Sequence, residues 1–250
     1  MSAVTLKTPD DDADKTVTAP GSDGLGFAVD INRKHPVADQ IYDALKEAIV
    51  SVQLLPGTSI SENRICRHFG VSRTPVRSAV VRLSEDGLVD VYPQQGSFVS
   101  PIRLAEINDS HFVRKNLEIA LLREAATKWS PEKSAHARAI IEVQRQAIEA
   151  GDGNLFFRED EHFHQAFAGF AEREGVWATV LQAKARLARF VRLFGKPDRL
   201  PVVVREHLAI LDALDARQID RAIQQLDYHL DMAFTILKQL PDEYGPYVVE

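Results

Sequence analysis

From Leu104 to Leu240 apolar residues recur at helical spacing almost without interruption, and no stretch there alternates apolar with polar as a half-buried strand does. More than half of the chain is therefore confined to an all-α architecture. "SPEK" (130–133), "AGDGN" (150–154), "FGKPDRLP" (194–201) and "ARQID" (216–220) punctuate it, each with a capping residue, Gly or Pro. The pattern implies about six helices in an antiparallel bundle. The 250-residue length leaves room for a second domain before it.

That first part reads differently. Residues 1–30 hold six aspartates against Lys7 and Lys15 with few large apolar groups, a composition expected to be a disordered acidic tail. From 31 to 101 short helical patterns are broken by "LLPGTS", "FGVS" and "YPQQGSFV". Val37 to Val50 predicts an amphipathic helix with Ile41, Leu45 and Ile49 on one stripe. Ser61 with Glu62 caps a short helix that stops at Phe69-Gly70, where glycine permits a left-handed residue. Ser72 caps the next helix, and Pro75 stands in its first turn, where a missing amide hydrogen costs little. Between Asn63 and Ser84 there are five arginines (Arg64, Arg67, Arg73, Arg77, Arg82) and no acid. After Gly87 the chain alternates Val91, a Tyr92–Gly96 turn, then Phe98 and Val99, which predicts a two-stranded hairpin.

Helix, tight turn, basic helix and a hairpin wing form an arrangement that docks on DNA, with the start of the second helix at the base edges. Arg73, Thr74 and Arg77 occupy that start. The net charge of −6 is no obstacle, because a DNA reader needs a basic face and not a basic total. "GVSRTPVR", then "L..DGLV" and "QQGSFV", resemble the winged helix of the GntR family of bacterial transcription regulators. The resemblance implies that Arg73 and Arg77 read bases, that Thr74 contacts a phosphate or base, and that Gly96 is the wing tip in the minor groove. Arg64, Ser72 and Gln95 complete the candidate DNA-binding set. Three residues depart from the family pattern: Ser78 where Glu is usual, Val52 where Gly is frequent, and Asn63 where some members carry a DNA-contacting Arg.

The stretch "FFREDEHFHQAF" (156–167) mixes carboxylates and histidines with phenylalanines. On a helix Asp160 and His164 lie one turn apart within the stripe of Phe156, Phe163 and Phe167, whereas His162 points about 160° away from His164. Glu159, Glu161 and His162 fit a solvated face. The same oddity recurs at His207, aligned with Val203, Leu211 and Leu214, and at His229, aligned with Leu226, Ala233 and Ile236. Polar groups buried without partners cost roughly 1–3 kcal/mol each, and a shared divalent ion would remove that penalty. One carboxylate and three imidazoles suit Zn, Ni, Fe or Mn. "D...H" followed by two further histidines resembles the FCD effector-binding domain, the helical partner in the FadR subfamily of GntR regulators. By position the resemblance makes Asp160, His164, His207 and His229 the metal ligands, with a small organic carboxylate as effector. Arg173 stands where the family often has Asn.

Arg114 lies on an inward stripe with Ile107, Leu121 and Ala125, and reads either as an effector contact or as the partner of Glu118 four residues on. Arg186 and Arg189 are further effector candidates. The single cysteine, Cys66, excludes an internal disulfide and is read as a small buried side chain. No run of about 18 apolar residues and no signal-peptide pattern is present, so a cytoplasmic protein without a membrane segment is expected. The expected organisation is a tail (1–30), a winged helix-turn-helix domain (31–101), an all-α effector domain (102–240) and a C-terminal tail (241–250). The function this implies is a homodimeric repressor on a double-stranded operator. A metal-dependent hydrolase or lyase carrying a DNA-binding domain, and an architectural protein with merely hydrogen-bonded histidines, are the alternatives.

Overall fold

A computed structural model gives the fold and describes residues 25–27, 30–232, 234 and 247–249. These divide into two compact units. One comprises the described residues of 9–107, 188–193 and 241–250, and the other those of 108–187 and 194–240.

In the first unit helix α1 (Val37–Val50) buries Ile41, Leu45 and Ile49 against α3 (Arg73–Glu85), which contributes Val76, Ala79 and Leu83. Each fully buried aliphatic side chain contributes about 1.5–3 kcal/mol. Between them, α2 (Glu62–Phe69) starts where the Ser61 hydroxyl accepts from the Arg64 amide and ends at Gly70, whose φ of 63° closes the helix. Ser72 sits at the N-cap of α3 in extended geometry, but its side chain makes no capping bond, contrary to the sequence expectation. The wing strands β2 (Val89–Tyr92) and β3 (Gly96–Val99) pair in register, Val89 with Val99 and Tyr92 with Gly96. The predicted hairpin forms, and β1 (Ser59–Ile60) adds on β3, giving a three-stranded sheet of order β1-β3-β2. Beyond it β4 (Ile102–Arg103) pairs in parallel with β5 (Val248–Val249). The segment 241–250, read as a tail, thus holds a strand, because a two-residue bridge carries no periodicity to read. Leu25 is buried and Phe27 meets His68 edge-on, within the segment expected to be disordered. The remainder of that expectation falls mostly on 1–24, outside the described residues.

The second unit consists of helices throughout: α4 (Leu104–Thr127), α5 (Pro131–Ala150), α6 (Gly153–Phe170), α7 (Glu174–Phe194), α8 (Leu200–Asp215) and α9 (Ile219–Met232). Local chemistry sets their ends. Ser130 accepts from the Lys133 amide ahead of Pro131, Gly151 ends α5 at φ 69°, and Asp152 accepts from the Leu155 amide to start α6. Among the described residues six helices stand where six were expected. The 102–240 boundary is less clean, since 188–193 of α7 belong to the first unit, where Arg189 donates to the Ser100 carbonyl. Val52 takes φ 64°, a left-handed conformation that a β-branched residue adopts only under strain.

Candidate metal centre and DNA-reading face

Because α6 turns Phe156, Phe163 and Phe167 into the core, Asp160 and His164 are carried inward with them. Helix α8 carries His207 and α9 carries His229 to the same point, and one ligand atom from each of the four residues lies within 4.8 Å of the others. The Nε2 atoms of His164 and His207 are each 3.3 Å from that of His229. Asp160 Oδ1 is 3.6 Å from His207 Nε2 and 3.9 Å from His164 Nε2. Imidazoles sharing one ion at the roughly 2.0–2.1 Å of zinc–nitrogen bonds stand about 3–3.4 Å apart.

The opposite ring nitrogens are held by acceptors. His164 Nδ1 lies 2.6 Å from Glu118 Oε2, His207 Nδ1 3.1 Å from Gln144 Oε1, and His229 Nδ1 2.8 Å from Glu206 Oε2. Gln144 and Glu206 are acceptors for Nδ1 of His207 and His229, and the Glu118 carboxylate lies against Nδ1 of His164; a proton kept at Nδ1 leaves an Nε2 lone pair facing the centre. Three lone pairs directed at one another repel, and a cation between them removes the conflict, so the donor set fits a divalent ion. Phe163 stacks on His207 with ring centroids 4.0 Å apart and fixes the plane of that ring. Burial lowers the pKa of His164 despite the opposing pull of Glu118, and pushes His207 well below the usual imidazole range, which keeps both rings neutral as metal ligation requires. Burial raises Asp160, but opposing charge, led by the Lys184 ammonium, outweighs it and holds the carboxyl far below its ordinary range.

His162 is 54% exposed and pairs with Glu159, outside the cluster, as its helical phase requires. Arg114 pairs with Glu118, its Nε donating to Oε1 at 2.6 Å, and its Nη2 lies 3.4 Å from His164 Nε2. Arg186 is half-buried on α7. Arg189 donates to the Ser100 carbonyl at the end of the wing sheet. The α7 cation that touches the cluster is Lys184, 3.4 Å from Asp160 Oδ2. Sequence reasoning missed Lys184, Gln144 and Glu206. Their signal was the one that found the histidines, a polar residue on an apolar stripe: Gln144 follows Ala137 and Ile141, and Glu206 is next to His207. Arg173 is exposed and pairs with Glu124.

On the other unit Arg73 and Thr74 are exposed at the start of α3, with Ser72 exposed before them. Arg77, its side chain 72% exposed, donates to both oxygens of Glu62 at 3.2 Å. Such a surface pair is worth about 0–1 kcal/mol and yields readily to a competing anion. Arg64 is half-buried on α2. Arg82, one of the five arginines, is structural: it pairs with Asp39 at 2.5 Å and lies over the Tyr42 ring. At the wing tip Gln94 and Gly96 take φ 63° and 115°, the latter a conformation that favours glycine, and Gln95 is exposed between them. Cys66 is partly buried against the core of this unit.

Residues 37–99 match the bacterial regulatory proteins of the gntR family, and residues 109–232 match the FCD domain. The HTH-type transcriptional repressor RspR of Escherichia coli K12 is 33% identical over 222 residues, 88% of this chain and 97% of that protein. A probable D-xylose utilization operon transcriptional repressor of Paenarthrobacter nicotinovorans is 24% identical over 194 residues, 78% of this chain and 85% of that one. Among solved structures, E. coli McbR/YncC superposes with a TM-score of 0.71 at 22% identity, covering 81% of this chain and 97% of that one. A GntR regulator from Rhodococcus sp. RHA1 gives 0.69 at 25% identity, with 82% and 99% covered.

Proposed function

This chain belongs to the GntR family of bacterial regulatory proteins and carries an FCD domain, and from that premise we propose that a small organic acid, bound beside a divalent metal, sets its affinity for an operator. It is a DNA-binding transcription regulator. Two relatives are called repressors, which favours repression here. Neither the family nor these relatives lend support to the hydrolase alternative.

One observation carries the finer reading: three imidazole Nε2 atoms and a carboxylate oxygen converge on one point, each ring held by its own acceptor. A divalent ion, with Zn the first choice and Ni, Fe or Mn suited to the same donors, would supply a Lewis-acidic centre open to a carboxylate. Asp160, His164, His207 and His229 hold it, and Arg114 stands beside His164 as counter-charge for the acid. On the DNA side Arg73, Thr74, Arg77, Arg64 and Ser72 contact the operator, and Gln95 and Gly96 form the wing tip. The organisation is a tail to about residue 30, the winged helix-turn-helix domain to about 101 and the effector domain to about 240. A homodimer on a pseudo-palindromic site follows from the small footprint of one winged helix, which reads too few base pairs alone. No described helix is long and apolar enough to cross a membrane, which is in keeping with a cytoplasmic place beside the DNA.

An acid alters DNA affinity only by favouring one arrangement of the protein over another. Band-shift titration of the metal-loaded chain on its operator, with and without a panel of small acids, tests this. At least one acid should change affinity about five-fold or more, and the effect should vanish from metal-stripped protein. Identical affinities in every condition would overturn the reading.

A further inference from the structure

Three ion pairs border the cluster. Arg114 donates to Glu118 at 2.6 Å, Lys184 faces Asp160 at 3.4 Å, and Arg199 donates to Glu206 at 2.7 and 2.8 Å. An imidazole that ligates a metal is neutral, so the three histidines add no charge. These groups therefore sum to zero before any ion enters, and a divalent ion adds two charges that none of them offsets. Uncompensated charge in a desolvated place is strongly unfavourable.

Two of the cations also have donors to spare. Lys184 is 8% exposed and carries three N–H groups, yet among the described residues its one hydrogen-bond partner is Asp160 Oδ2. Arg114 is 5% exposed, and of its five N–H groups only Nε and one on Nη2 have partners, Glu118 and His164. These two cations reach the cluster from different helices, α7 and α4. A single carboxylate supplies one negative charge and two oxygens, too little for both the charge balance and the unspent donors.

Resting on the metal–acid reading above, we propose that the ligand of this site is a dianion, an acid with two carboxylates, and that Lys184 makes the site prefer it to a monocarboxylate. The two carboxylates match the ion's two charges. They also give Lys184 and Arg114 the acceptors that the protein does not.

Calorimetric titration of the zinc-loaded full chain, at fixed pH and ionic strength, decides it. Malonate, succinate and glutarate are compared with acetate, propanoate and butanoate, and zinc content is read on the same samples. At least one dicarboxylate should bind about ten-fold or more tightly than every monocarboxylate, the yield of one charge-assisted contact. Lys184→Met should erase that ratio and Lys184→Arg should keep it. Equal affinities for both classes would overturn the dianion while leaving the metal–acid reading in place. A preference that survives in Lys184→Met would overturn the role of Lys184. Failure of every acid to bind zinc-loaded protein, or failure to take up zinc, would remove the underlying reading and this proposal with it. Should Lys184→Met fail to fold, the wild-type panel and Lys184→Arg still decide.

Discussion

In the winged-helix unit the cations proposed to meet DNA stand in solvent, with Arg73 exposed at the head of α3 and Arg77 paired with Glu62. In the helical unit Arg114 and Lys184 are almost wholly buried, and each is matched to a carboxylate. Exposed cations cost little while they await a polyanion, because water solvates them. Buried ones need a matching charge at hand: Glu118 on the same helix serves Arg114, and Asp160 on α6 serves Lys184. A substitution on the reading face should therefore act alone, whereas one in the cluster should disturb two helices together.

The largest expected effect follows from removing an imidazole. His164→Ala and His229→Ala should each weaken metal binding by at least about 100-fold, beyond what loss of a ligand's supporting partner costs, and should abolish any acid response. His162→Ala should change neither, and metal titration of the three variants checks this. Glu118→Gln keeps the shape but removes the carboxylate from His164 Nδ1 and from Arg114, so metal affinity should fall about 10–100-fold. An unaltered affinity would show that the outer carboxylates are passive.

On the reading face Arg73→Ala and Arg77→Ala should each cost about 1–3 kcal/mol of operator affinity with helical content intact. Band shifts and circular dichroism measure the two quantities. Wild-type affinity in both variants would place recognition elsewhere.

Asp90 sharpens the comparison through pH. Burial raises its pKa, but the Ser100 hydroxyl and Arg103 outweigh that and hold the carboxyl below its ordinary range. A depressed carboxyl stabilises the fold above its unfolded value of about 3.9 and loses that contribution as pH falls towards the folded value. Asp90→Asn should thus be less stable by about 1–2 kcal/mol at pH 7, with the gap closing below about pH 4. Melting curves across pH read the gap directly. The smallest effect is a gain. Val52→Gly relieves the left-handed strain and should raise stability by about 0.5–1 kcal/mol, offset in part by the entropy of glycine. A lower melting temperature would show that the strain is not felt.

Helix ends were legible because capping chemistry is local: Ser61 and Gly70, or Pro131 and Gly151, announce themselves within four residues. The four candidate ligands were legible because helical phase shows that Asp160, His164, His207 and His229 lie on apolar stripes, where a polar side chain needs a reason. What pairs with what was not legible. Phase gives the face of a helix but not its neighbour, so Gln144 against His207, Glu206 against His229 and Lys184 against Asp160 emerged only when α5, α7, α8 and α9 were assembled. For the same reason the bond from Arg189 to the Ser100 carbonyl was not legible. Strands β1 and β5 span two residues each, too short for alternation to show.

The central claim is that Asp160, His164, His207 and His229 hold a divalent ion. Elemental analysis of the full chain purified without chelator, followed by titration of stripped protein with zinc while melting temperature is recorded, tests it most directly. One ion per chain is expected, with a rise in melting temperature that saturates at that ratio. Protein that carries no metal and takes up none, with an unchanged melting temperature, would contradict it.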